Sequence, residues 1–222
     1  MIIRLLSCIV LACAPWLAAL AQTAAPAQGS AQPPVRILIV GDSLSAEYGL
    51  TRGSGWVAIL QERLARDYPG AQVANASISG DTTSGGVSRL PAELERVQPD
   101  IVILELGSND ALRGLPLDMT EKNLRTMAQA ARAAGARVII AGMQIPPNYG
   151  RPYAERFRTL FESVAQAEQA ELIPFLLEGM AQDRAMFQDD AIHPTEKAQP
   201  VIFENVWRVL EPVVREVGGV KG

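Results

Sequence analysis

A chain of 222 residues, 48% of them hydrophobic and 20% charged, is long enough for one domain with a sizeable core. Its 24 acidic residues against 20 Lys and Arg leave a net charge of −4, and there is no basic block, so nothing supports nucleic-acid binding.

Residues 1–21 read as a signal peptide. "MIIR" supplies a positive start, "LLSCIVLACAPWLAALA" an apolar run, and Ala19-Leu20-Ala21 a small-x-small cleavage site before Gln22. Pro15 interrupts the run, which argues against stable membrane insertion after cleavage and for export across an inner membrane, with a periplasmic destination. A lipidated Cys13 in "VLAC" is the alternative. Cleavage after Ala21 removes Cys8 and Cys13, the only two cysteines, and with them any cysteine nucleophile or ligand. Residues 22–34, "QTAAPAQGSAQPP", read as a flexible leader. The functional domain is expected over 35–222.

Within that domain short apolar runs alternate with helical patterns. Strands are expected over 35–40, 71–78, 100–106, 136–143 and 170–176. Helices are expected over 55–68, 84–97, 120–135, 153–169 and 195–217. Near-continuous apolar strands, each followed by an amphipathic helix, imply an α/β fold with a five-stranded parallel sheet covered on both faces. In such sheets sites form beyond the carboxyl ends of the strands. Three polar clusters sit there: "GDSLS" after the first strand, "SISGDT" after the second and "GSND" after the third. "DDAIHP" follows the last strand through a loop.

Those clusters hold the parts of an acyl-transfer site. A serine hydroxyl attacks only when a base takes its proton, and the base needs a partner to fix its tautomer. Ser43 follows a strand and a glycine and precedes an expected helical turn, though Gly-Asp-Ser is also ordinary turn chemistry. His193 is the only histidine, three positions after Asp190, so the two side chains meet if the segment turns helically. A surface "DD" capping the next helix is the plainer alternative. A metal centre there lacks the further His and Cys ligands that zinc prefers, so none is expected. The Gly80 N–H and the Asn109 side-chain amide can donate to a developing oxyanion, or can be turn residues. Asp42, Asp81 and Asp110 read as carboxylates that brace their loops. There is no G-x-S-x-G elbow, which disfavours an α/β-hydrolase.

"GDSLS", "NASISGDTTSGG", "ELGSND" and "DDAIHP" resemble, in order, the four blocks of the SGNH (GDSL-type) hydrolase family, and within it the secreted bacterial thioesterase, lysophospholipase and arylesterase enzymes. The likeness runs from about Val35 to the C-terminus. One mild departure is Ser108 between Gly107 and Asn109. The resemblance implies a flavodoxin-like three-layer α/β/α sandwich. It implies Ser43 as nucleophile, and Asp190 and His193 as the rest of the triad. Gly80, Asn109 and the Ser43 N–H become the oxyanion hole.

The chemistry expected is hydrolysis of carboxylic esters or thioesters through an acyl-serine, with no metal or organic cofactor and activity that falls at acid pH as His193 takes up a proton. The substrate class is a small acyl ester or lysolipid. Leu112, Leu115 and Leu117 in one loop, and Ile145, Pro146, Tyr149 and Tyr153 in another, are candidates to line an acyl groove or else fold onto their own core. Arg113 and Arg151 are positioned either to meet a phosphate headgroup or simply to be solvated. A carbohydrate O-deacetylase on the same scaffold and a non-catalytic anion-binding module are the rivals.

Overall fold

The computed structural model describes residues 34–219. The signal peptide, Cys13 and all of the leader but Pro34 lie outside the described residues.

Five strands form one parallel sheet: β1 (Arg36–Gly41), β2 (Gln72–Asn75), β3 (Ile101–Glu105), β4 (Arg137–Ala141) and β5 (Glu171–Ile173), in the order β2-β1-β3-β4-β5. Six α-helices accompany them: α1 (Trp56–Asp67), α2 (Thr83–Val97), α3 (Ser108–Leu112), α4 (Leu117–Ala133), α5 (Arg151–Glu168) and α6 (Gln199–Val217). α1 packs with α6 on one face, and α4 packs with both α2 and α5 on the other. The sheet is thus the middle of three layers, as expected.

Strand lengths follow position. β3 is buried at every residue and β1 and β4 at all but their first, because helices cover both faces of the central strands. The edge strands are shorter than expected. β2 exposes Gln72 and Asn75, and β5 ends before Pro174, which has no N–H to give the ladder. Ile37, Leu38, Ile39, Ile101, Ile103 and Leu104 are fully buried and join Trp56, Leu60, Phe157 and Phe161 in a single core.

Helix starts shift by one to four residues from the sequence reading. α5 begins at Arg151 with Pro152 in its first turn, where a missing N–H is harmless. α6 begins at Gln199 after a 3₁₀ turn over Glu196–Ala198. α4 begins at Leu117, three residues early, and carries that side chain into the core. Leu117 is therefore not a groove residue. The order β2-β1-β3 reverses direction at β1, which opens a crevice between the ends of β1 and β3. Among the described residues no helix is long and apolar enough to cross a membrane.

Candidate active site

The chain leaves β1 at Gly41 and enters a run of turns over 43–49, where a helical turn was expected after Ser43. The Asp42 carbonyl accepts from Ser45 N and Ala46 N, which starts one turn. Glu47 at φ 58° and Gly49 at φ 71° then take the backbone out of the helical region. The Asp42 carboxylate accepts the Leu44 N–H at 3.0 Å and so holds this turn around Ser43.

The fourth cluster reaches Ser43 from 150 positions away in the chain. His193 Nε2 lies 2.9 Å from Ser43 Oγ, and His193 Nδ1 lies 2.6 Å from Asp190 Oδ2. The Asp–His contact is not made by a helical turn. Asp190 Oδ1 instead accepts the N–H groups of Ile192 (2.9 Å) and His193 (3.0 Å), with Ala191 in the left-handed region at φ 58°. This side-chain-closed turn brings Oδ2 to the ring. Burial alone would raise the Asp190 pKa. The hydrogen bonds from the His193 ring and from the His193 and Ile192 N–H groups outweigh it and hold the carboxyl down at about 2.

Two residues that sequence reasoning missed join the serine and histidine loops. The Tyr48 ring sits 4.3 Å from the imidazole, centroid to centroid. Gln188 Nε2 donates to Tyr48 O (2.9 Å) and Pro194 O (3.0 Å), while its backbone N–H donates to His193 O (2.8 Å). Neither stands out locally in sequence, because each acts across the two loops.

The second and third clusters flank this pair. Asn109, in the first turn of α3, donates its side-chain amide to Asp42 Oδ2 at 3.0 Å. α3 itself was not expected from the sequence. The loop carrying Gly80 is tied to β1 through Ile78 N–H to Gly41 O (3.1 Å) and to the end of α3 through Arg113 Nη2 to Gly80 O (2.7 Å). Arg113 is thus engaged, not merely solvated. Among the described residues the N–H groups of Ser43 and Gly80 donate to no protein acceptor, which leaves both free for a ligand oxygen. Asp42 and Asp81 brace their loops as read, whereas Asp110 lies within α3 and ties that helix to α2 and α4. Asp110 accepts from Thr83 N (2.9 Å), Thr83 Oγ1 (2.5 Å) and Thr120 Oγ1 (3.2 Å), and Asp81 from Thr82 N (2.9 Å) and Arg89 Nε (2.8 Å).

Gly80 sits at φ 78°, a conformation L-residues resist, yet a Cβ there would meet only Arg113 Nη2 at an ordinary 3.7 Å. Gly80→Ala is therefore expected to destabilise the fold by about 1–2 kcal/mol through backbone strain alone. Turnover should drop as the Gly80 peptide tilts. Urea unfolding alongside initial rates checks both.

The loops proposed for substrate divide. Leu112 and Leu115 are half-buried and stand apart from the core cluster, whereas Ile145 packs into it at 9% exposure and Pro146 is exposed. Tyr149 is exposed, and Tyr153 packs on the core with its hydroxyl donating to Leu115 O at 3.1 Å. Arg151 is exposed. Among the described residues no cluster of three or more His, Cys, Asp or Glu could hold a metal ion.

The GDSL-like Lipase/Acylhydrolase family model matches residues 39–199, which span all four clusters. The chain belongs to that family. Esterase TesA of Pseudomonas aeruginosa is 50% identical over 178 residues, covering 80% of this chain and 89% of the relative. The thioesterase 1/protease 1/lysophospholipase L1 of Escherichia coli is 40% identical over 178 residues, 80% of this chain and 84% of that one. A crystal structure of TesA superposes with a TM-score of 0.78 at 50% identity, covering 80% of this chain and 99% of that chain. Esterase EstA from Pseudoalteromonas, inhibited by monoethylphosphonate, gives 0.76 at 38% identity, covering 80% and 97%. An acetyl-xylooligosaccharide esterase from Geobacillus at 20% identity shares the fold, with a TM-score of 0.66 over 80% of this chain and 95% of that one.

Proposed function

We propose that the protein is a serine hydrolase of carboxylic esters and thioesters of acyl substrates, lysolipids among them. The observation that carries this reading is the relay Asp190–His193–Ser43, with contacts of 2.6 and 2.9 Å. His193 Nε2 takes the Ser43 proton as Oγ bonds to the substrate carbonyl carbon. The carbonyl oxygen becomes an oxyanion that accepts from the Ser43 and Gly80 N–H groups and from the second hydrogen of Asn109 Nδ2. As the tetrahedral carbon collapses, the imidazolium returns the proton to the departing alcohol or thiol. Water, deprotonated by the same histidine, then attacks the acyl-serine; acid is released and the Ser43 hydroxyl restored. Asp190 holds the imidazole with its proton on Nδ1 and stabilises the imidazolium.

The names of the relatives, esterase, arylesterase and thioesterase/lysophospholipase, support an acyl substrate. So do the half-buried Leu112 and Leu115, which are apolar and not consumed by the core. The reading of residues 1–21 supports export to a periplasm, where lipid and lysolipid esters are at hand.

The test is hydrolysis of p-nitrophenyl esters from acetyl to palmitoyl. Activity that rises from acetyl to medium or long chains is expected; acetyl-only activity would overturn the acyl-chain reading in favour of a deacetylase. In the same assay Asn109→Ala should lower kcat by roughly 10²-fold with KM little changed, because its amide meets the oxyanion only as charge develops. A change confined to KM would contradict that role.

A further inference from the structure

We propose that Glu105 is a positioning residue that works as a neutral carboxylic acid beside Asp42, beneath the Ser43 turn. Glu105 is the one titratable residue of the run "IVILEL" and lies buried at the end of β3 beside Asp42.

Glu105 is 0% exposed and Asp42 1% exposed.

Glu105 Oε2 lies 3.1 Å from the Asp42 N–H and 2.7 Å from Ser45 Oγ, so it engages the turn on both sides of Ser43. Oε1 is buried with no hydrogen-bond partner among the described residues. A bare carboxylate oxygen costs far more in that setting than the bare carbonyl oxygen of a neutral acid. The fit is close: a Cβ on Gly41 would come within 2.7 Å of Glu105 Oε2 and 2.9 Å of Ser45 Cβ.

No cation neutralises the pair. Among the described residues neither Asp42 nor Glu105 forms an ion pair. The charged groups facing them are Arg89, bound to Gly41 O and Asp81, and His193, bound to Asp190. Two adjacent buried carboxyls without a cation cannot both ionise. Burial pushes Asp42 up to about 6; burial, then the Asp42 charge, pushes Glu105 well above the ordinary carboxyl range. Of the two, Glu105 is therefore the one that holds its proton to the higher pH. Asp42 is left as the single negative charge that orients the Asn109 amide, and no second charge opposes the oxyanion.

This role rests on the proposed esterase reading, but its test does not need a substrate. The measurement is thermal unfolding of the parent and Glu105→Gln between about pH 4 and pH 8, with kcat and KM of Glu105→Gln and Glu105→Ala at pH 7. A carboxyl whose pKa is raised by folding contributes full stability below its ordinary value of 4.5 and loses it as pH rises. The advantage of Glu105→Gln over the parent should therefore grow steadily with pH. Glutamine should keep kcat within about threefold of the parent, whereas alanine should lose about tenfold or more in kcat with KM little changed. A stability gap that is flat or shrinks with pH overturns the neutral acid, and so does a glutamine variant as slow as the alanine one. If alanine does not fold, the glutamine series still decides. Absence of ester hydrolysis in the parent would instead count against the esterase reading, leaving the unfolding result to judge Glu105.

Discussion

Replacing Ser43 by alanine lowers kcat/KM for a p-nitrophenyl ester by roughly 10⁴-fold or more while leaving stability within about 0.5 kcal/mol of the parent. The Ser43 hydroxyl has one protein partner among the described residues, His193 Nε2 at 2.9 Å, and is not a core group. Its loss leaves a half-buried imidazole nitrogen that water can satisfy, so the fold is little disturbed. Chemistry, by contrast, loses the atom that carries the acyl group. Residual rate comes only from the oxyanion donors and from substrate binding. Initial rates beside urea unfolding check both halves. A folded variant with most of its activity would place the nucleophile elsewhere.

Asp190→Asn is the second large effect, a fall in kcat of roughly 10³–10⁴-fold. Asparagine can still accept the Ile192 and His193 N–H groups through its Oδ1, so the turn survives. Its amide then faces His193 Nδ1, where the carboxylate oxygen lies at 2.6 Å in the parent. An N–H there favours the tautomer with the proton on Nε2, which faces Ser43 as a donor and cannot act as its base. The Asp190 carboxyl, held at about 2, stays ionised at any working pH; the stability it lends is present above the ordinary carboxylate value and is lost as pH falls through about 2. The check is kcat with nitrophenyl esters, supported by a far-UV spectrum unchanged from the parent. A loss under tenfold would show that Asp190 does not set the tautomer.

The sheet and the four clusters were legible because each is local: apolar runs between helical patterns, and short polar motifs at strand ends. What the sequence hid depends on distant partners. Glu105 reads as part of an apolar strand until Ser45 and Asp42 are brought beside it from about 60 positions away. Gln188 and Tyr48 gain meaning only when the serine and histidine loops meet. The Asp190–His193 contact was expected from spacing, but a side-chain-closed turn with Ala191 at φ 58° makes it, since a three-residue separation does not distinguish that turn from a helix. Leu117 moved from loop to core because Pro116 starts α4 three residues earlier than its apolar pattern suggests.

Labelling with a fluorophosphonate, followed by peptide mapping, tests the central claim most directly. One adduct per chain on Ser43, absent from Ser43→Ala and slowed in Asp190→Asn, is the predicted result. Labelling at another residue, or none in the folded parent, would contradict an activated Ser43.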